Sequence, residues 1–176
     1  MLMLKNRNRK LLALDGAVML VLLFADQFTK YLAITRLKGN PAYVLIEGVL
    51  ELQYVENRGI AFSLFQGRKI LILTLGLLIL GLLIFFLFKL PEQKKFRIIH
   101  FLFAALLAGA LGNIIDRVRF DYVVDFISFV LIQYPVFNVA DCFIVLATII
   151  LFVLFMFVYK EEDLEFLSFR RKKTAE

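Results

Sequence analysis

Four stretches of this chain are long and apolar enough to cross a bilayer, and that constrains every other reading of it. A hydrocarbon core about 30 Å thick takes about 20 consecutive, mainly apolar residues of helix. Residues 11–37, 70–90, 98–115 and 139–159 meet that requirement. The third is the shortest and is expected to be tilted or sheltered by protein. The residue usage agrees, with 61% hydrophobic residues and a mean hydropathy of +0.83. An ordinary soluble domain is roughly 45–50% apolar. The spans take up most of the 176 residues, so the chain reads as one four-span domain, residues 1–176, with no length for a separate soluble one.

The net charge of +6 points to nucleic acid only where cations form a stripe on a folded face. Here they sit in the flanks of the spans. Lys5, Arg7, Arg9 and Lys10 precede the first; Lys89, Lys94, Lys95 and Arg97 separate the second from the third; Lys160, Arg170, Arg171, Lys172 and Lys173 follow the fourth. Cytoplasmic loops carry the excess of Lys and Arg, so both termini are expected inside. Seven cations, Arg36, Lys38, Arg58, Arg68, Lys69, Arg117 and Arg119, fall in the two outer connections and run against that bias. The basic start followed by an apolar run superficially resembles a cleaved signal sequence. The run is too long, lacks a small-residue cleavage site and carries Asp26 and Lys30, so it reads as a permanent span.

The connections are unequal. In the outer segment of about residues 38–67, Leu50, Leu52 and Tyr54 alternate with Glu51, Gln53 and Val55, and Asn57-Arg58-Gly59 follows as a turn. Period-two patterning bounded by turn residues predicts a strand, hence a small extracytoplasmic sheet. The 91–96 connection is short, polar and cytoplasmic. Residues 118–137 are too apolar for a free loop and read as an interfacial segment, and the charged tail, 161–176, as a short helix or disordered. The expected fold class is an all-α membrane protein: four transmembrane helices, a small outer β-sheet and an interfacial segment.

Acidic residues inside such a chain are candidate functional groups, because a charge at the bilayer centre costs about 2.5–3.5 kcal/mol on insertion scales. Counting helix rise from each cytoplasmic anchor puts Asp26 roughly 24 Å up from Lys10. Asn113 and Asp116 lie roughly 24 and 28 Å up from Arg97, and Asp141 roughly 28 Å up from Lys160. Asp125 belongs to the outer segment joining two of these helices. Each alone has a plainer reading: Asp26 and Lys30 as an i, i+4 pair, Asp116 and Arg117 as a polar helix end, Asn138 and Asp141 as an N-cap and N3 pair. Their shared depth, with Asn113, Asp116 and Arg117 on one helix face, points instead to one site near the outer leaflet.

Two carboxylates sharing a proton can hydrolyse a peptide bond, one as base on water and the other as acid on the carbonyl oxygen. Asp141 in a first helical turn suits the ionised partner; Asp125, in apolar surroundings, suits the proton holder. Cys142 and His100 sit on the order of 20 Å apart in depth, so they form no catalytic couple, and one Cys with one His builds no clustered metal site. HExxH and GxSxG are absent, and a Ser63–Lys69 pair has only nearness in sequence behind it. A proton or cation relay through Asp26, Asp116, Asp125 and Asp141 would need polar residues through the whole thickness, yet the second span offers only Thr74. A lipid-modifying transferase would want more headgroup-binding cations than Arg117 and Arg119.

At these residues the chain resembles the lipoprotein signal peptidase (signal peptidase II) family. The likeness is carried by Asp26-Gln27-Phe28-Thr29-Lys30, by Glu56-Asn57-Arg58-Gly59-Ile60-Ala61-Phe62-Ser63, and by Gly109-Ala110-Leu111-Gly112-Asn113-Ile114-Ile115-Asp116-Arg117. It continues with Val123-Val124-Asp125-Phe126 and Phe137-Asn138-Val139-Ala140-Asp141, in order along the chain. The resemblance implies an aspartic endopeptidase that removes signal peptides from prolipoproteins just before a diacylglyceryl-modified cysteine, in the bacterial cell membrane. It implies Asp125 and Asp141 as catalytic residues. Asp26, Asn57, Asn113, Asp116, Arg117 and Asn138 become substrate-binding or supporting residues, with Asp116 paired to Arg117 or to a neighbouring helix. It implies no cofactor or metal. The expected partners are prolipoprotein substrates and membrane lipid, with no nucleic acid.

Overall fold

A computed structural model describes residues 9–59, 65, 67–132 and 134–167. The segment containing Ile60-Ala61-Phe62-Ser63, the start of the basic N-terminal flank and the tail beyond 167 lie outside the described residues. Among the described residues, four helices are long and apolar enough to cross a membrane. They are α1 (Arg9–Arg36), α2 (Lys69–Lys89), α3 (Arg97–Phe120, entered through a 3-10 turn at Lys94–Phe96) and α4 (Val139–Phe157). A 3-10 helix follows at Glu161–Leu167.

α3 is the central helix. In its most apolar stretch 67% of residues are buried, against 6% in α2. Small side chains make that possible. Ala104, Ala105 and Ala108 are buried, and Gly109 and Gly112 let neighbouring chain in still closer. A Cβ on Gly109 would lie 2.6 Å from the Ala140 carbonyl oxygen on α4 and 2.8 Å from Ile144 Cγ1; one on Gly112 would collide with the Asp26 carboxylate on α1. Small residues at helix contacts are the usual way membrane helices approach closely. The span expected at 98–115 runs on to Phe120. Hydropathy stops at Asp116 and Arg117, but those side chains turn inward to polar partners and the helix continues.

The connection between α1 and α2 supplies β1 (Tyr43–Ile46) and β2 (Leu50–Asn57), and the connection between α3 and α4 supplies β3 (Val123–Phe129), of a three-stranded antiparallel sheet in the order β1-β2-β3. The predicted alternating strand is β2. β3 is a correction: the stretch read as an interfacial segment pairs with β2, Asn57 opposite Val123 and Leu50 opposite Phe129. Its residues are buried on both faces, so it shows no alternation, only an apolar run holding one acid. The register slips between Leu52 and Val55, and such bulges bend a strand and re-aim its side chains. Asp125 sits opposite Val55, at that irregularity.

Local devices fix where these elements start and stop. Asp121 caps α3 in the left-handed conformation, φ 68°, its N–H donating to the Arg117 carbonyl at 3.2 Å. This reverses the chain, and Asp is one of the few non-glycine residues that visits the region readily. Asp121 is also tied to Lys69 at the start of α2. At α4 the Asn138 side chain accepts from the Asp141 N–H while the Asp141 carboxylate accepts from the Asn138 N–H, the reciprocal cap predicted for this pair. Ala33, Val124 and Phe126 form a buried cluster, bordered by Leu52, Tyr54 and Val139, that seats the sheet on the C-terminal end of α1.

Candidate active site

The sheet and the helix ends beside it enclose one polar network. Asp125, on β3, is 1% exposed and accepts from Asn57 Nδ2 at 2.9 Å through Oδ2 and from Asn138 Nδ2 at 2.6 Å through Oδ1. Asp141, in the first turn of α4, accepts from Asn113 Nδ2 at 2.8 Å and from the Asn138 backbone N–H at 3.2 Å. Asn138 is therefore bonded to both carboxylates at once, and through its side-chain oxygen to the Asp141 N–H at 3.0 Å. Burial pushes the Asp125 carboxyl up, and the neighbouring Asp141 charge pushes it further. The hydrogen bonds from Asn57 and Asn138 oppose the rise, and the result is about 7. A carboxyl poised there can hold or release a proton near neutrality.

Asp26, Asn113 and Asp116, which the depth count puts at one level, meet in this network, and Asn57, Arg117 and Asn138 join them there. Arg117 donates to the Gly59 carbonyl at 2.8 Å and to the Asn113 carbonyl at 3.3 Å. It is also close enough to interact with the charges of Asp141 and Asp125. Asp116 resolves to a neighbouring helix rather than Arg117: it takes Lys30 at 3.2 Å and Gln27 at 3.0 Å from α1, and the Val124 N–H at 3.1 Å from β3. Asp26 pairs with Lys30 at 3.0 Å, the predicted i, i+4 contact, and also accepts the Ala140 N–H at 3.0 Å. Two further network members come from α1: Lys30, which the sequence marks only as a partner of Asp26, and Gln27, to which it assigns no role. The signal was partial: the i, i+4 spacing marks Lys30 as a partner for Asp26 but carries nothing about the helix facing it.

Both dyad candidates, with Asn57, Asn113 and Arg117, line a cavity of about 1010 Å³. Its further walls are apolar and come from α2, α3 and α4, including Leu75, Ile79, Leu106 and Ile144. Glu56 also reaches the rim, but it is engaged by Lys38 at 3.1 Å and Arg58 at 3.2 Å. The Lys38 hydrogen bond leads in holding its carboxyl below the usual range, so it is a poor proton donor. His100 and Cys142 are apart, as the depth count requires: His100 Nδ1 lies 2.8 Å from Asp15 Oδ2 at the other end of the bundle. Ser63 lies outside the described residues and Lys69 is paired to Asp121. Among the described residues no group of three or more His, Cys, Asp and Glu side chains is arranged to hold a metal ion. The arrangement thus offers two carboxylates at the polar end of an apolar cavity.

The chain matches known proteins over most of its length. Residues 18–157 match the family described as Signal peptidase (SPase) II. A lipoprotein signal peptidase from Caldanaerobacter subterraneus subsp. tengcongensis is 45% identical over 134 residues, covering 76% of this chain and 90% of that protein. One from Fusobacterium nucleatum is 34% identical over 158 residues, covering 88% of this chain and 86% of that protein. A solved bacterial membrane enzyme aligns with a TM-score of 0.73 at 26% identity, over 93% of this chain and 95% of that one. A second, also a bacterial membrane enzyme, gives 0.72 at 27% identity, over 84% and 95%.

Proposed function

The chain belongs to the signal peptidase II family of membrane proteases, and from that premise we propose that it removes signal peptides from prolipoproteins by aspartic catalysis. The observation that carries this reading is the pair of carboxylates, Asp125 and Asp141, held by the same Asn138 on the wall of one cavity. In this reading the chain is a single peptidase domain in the bacterial cell membrane, with both termini cytoplasmic.

Asp141, accepting two hydrogen bonds at the N-terminus of α4, takes a proton from water as the oxygen attacks the scissile carbonyl carbon. Asp125, poised at about 7, gives its proton to the carbonyl oxygen. Collapse of the tetrahedral intermediate breaks the C–N bond. The proton taken by Asp141 goes to the leaving amine and the hydroxyl proton returns to Asp125. General acid–base help of this kind is worth about 10²- to 10⁴-fold in rate. Asn57 and Asn138 hold Asp125, and Asn113 holds Asp141. Arg117, with donors beyond the two it uses on carbonyls, binds substrate carbonyl oxygens. The apolar walls accept the signal helix and the acyl chains of a diacylglyceryl cysteine, which keeps the scissile bond at the depth of the carboxylates.

The test is cleavage by purified protein of a signal-bearing peptide with a diacylglyceryl cysteine and of its unlipidated twin. Cleavage of the first alone, just before the cysteine, is expected. Asp125→Asn and Asp141→Asn are each expected to fold and to lose cleavage. An unchanged rate in either variant would falsify the dyad.

A further inference from the structure

Beyond the two carboxylates, Lys30 is a fully engaged buried charge. Its side chain is 2% exposed, and its ammonium faces three acceptors: Asp26 Oδ2 at 3.0 Å, Asp116 Oδ2 at 3.2 Å and Asn113 Oδ1 at 2.8 Å. An ammonium has three N–H donors, so the group is saturated within the protein. It is a fixed part of the interior, with no donor left for substrate.

Its partners share a pattern. Asp116 Oδ2 accepts the N–H of Val124, the residue immediately before Asp125. Asp26 Oδ1 accepts the N–H of Ala140, the residue immediately before Asp141. Each acid clamped by Lys30 therefore grips the backbone one residue ahead of one dyad member. Gln27 ties the same two acids together at 3.1 and 3.0 Å. Lys30 also decides which way the Asn113 amide lies. With its oxygen facing the ammonium, its NH₂ must face Asp141. Reversed, it would set N–H against N–H on one side and carbonyl against carboxylate on the other.

We propose that Lys30 is a positioning residue which, through Asp26, Asp116 and Asn113, aligns the two dyad segments and sets the pH window of cleavage. The proposal rests on the dyad reading above. The charged groups around the dyad are Asp26 and Lys30 from α1, Asp116 and Arg117 from α3, Asp141 from α4, and Glu56 with Arg58 at the β2 rim. Lys30 is buried among them, where solvent screens least. Its charge draws Asp125 downward, against the burial and the Asp141 charge that raise it.

The experiment is the pH dependence of kcat and KM for the lipidated peptide, measured on wild type, Lys30→Gln and Asp116→Asn. Lys30→Gln removes a positive charge from beside the dyad. Both limbs of its pH profile are expected to move to higher pH by about one unit, with kcat lowered about 100-fold and KM little changed. Asp116→Asn keeps an acceptor for the Val124 N–H but removes a negative charge, so its limbs are expected to move to lower pH. Opposite shifts from the two variants are a signature that mere loosening of the fold does not produce. A folded Lys30→Gln with unmoved limbs overturns the proposal. Should that variant not fold, unmoved limbs in Asp116→Asn overturn it. Neither result touches the dyad, which fails only if Asp125→Asn or Asp141→Asn still cleaves at the wild-type rate.

Discussion

The molecule buries ionisable groups at both ends of its helical bundle, the outer end being the one that carries the sheet and the inner end the one opposite, and the two sites are built differently. At the outer end Asp26, Lys30, Asp116 and Asp125 are all nearly inaccessible, yet Asp125 and Asp141 also line a large cavity. At the inner end Asp15 and His100 are buried against each other, Nδ1 to Oδ2 at 2.8 Å, with Nε2 3.2 Å from the Pro91 carbonyl oxygen. That pair ties α1 to α3 and to the turn after α2, and neither residue lines the cavity. Both sites satisfy the rule that buried charge must be paired or hydrogen-bonded. Only the outer one sets like charges beside each other with a reagent's access to them. Burial of an acid is thus weak evidence of chemistry, and burial beside a second acid on a cavity wall is much stronger.

The widest separation between the two ends is expected from neutralising one acid in each. Asp125→Asn should lower kcat by about 10³-fold or more while leaving the melting temperature no lower than wild type. Asp15→Asn should do the reverse, cleaving normally in a protein that melts earlier. Cleavage assays and thermal melts in detergent on the two variants read this directly. If the two variants lose activity equally, the distinction between the ends disappears.

A smaller loss should follow from disturbing the frame that brings the outer groups together. Gly112→Ala drives a methyl into the Asp26 carboxylate and Gly109→Ala drives one into Ala140 and Ile144. Each separates helices carrying opposite halves of the network. Displacements of about 1 Å near reacting groups cost about 100-fold, so each is expected to fall between wild type and the dyad variants. Gly81→Ala is the control, since a Cβ there meets nothing within 4 Å.

These contacts also mark how far the chain is legible without coordinates. Helix rise is a one-dimensional ruler, and it brought Asp26, Asn113, Asp116 and Asp141 to one depth from three separate anchors. The reciprocal cap of Asn138 and Asp141 was readable because it is local, spanning three residues. Helix rotation is not on that ruler, so Lys30 was visible as the i, i+4 partner of Asp26 and invisible as the partner of Asn113 and Asp116. β3 escaped for another reason. A strand buried on both faces has no period of two, and Val123 to Phe129 reads as any apolar run would. The inner pair lay within reach of the same count, with Asp15 and His100 each a few residues past a basic anchor, but two residues at one depth do not by themselves announce a contact.

A pH effect on stability should distinguish Asp125 from an ordinary paired carboxylate. Its folded value of about 7 lies above the roughly 3.9 of an unfolded aspartate. Between those two values the folded state binds the extra proton, so stability falls as pH rises through the window and levels off above it. Asp125→Asn removes that dependence. The variant's melting temperature should therefore gain on wild type steadily from about pH 4 to 7 and hold its advantage beyond. A gap that narrows with rising pH would mean the carboxyl is stabilised in its ionised form, and Asp125 would then be the wrong proton donor.

The smallest effect on cleavage, and the most informative about the inner end, is expected from His100→Ala. The substitution leaves the Asp15 carboxylate buried without its ring partner and takes a neighbour from the Pro91 carbonyl. Breaking a buried polar pair by removing one member costs about 2–4 kcal/mol, so the protein should melt measurably earlier. The dyad lies near the opposite end of α3, and its own contacts come from Asn57, Asn113 and Asn138. Below the melting transition kcat should therefore stay within about 2-fold of wild type, a barrier change of under about 0.5 kcal/mol. Asp15→Asn with His100→Gln replaces the pair by neutral groups that can still bond, and should recover most of the lost stability with no further change in rate. A fall in kcat that follows the melting temperature through this series would instead show α3 carrying strain from its inner end to the site, and the two ends would have to be treated as one coupled structure.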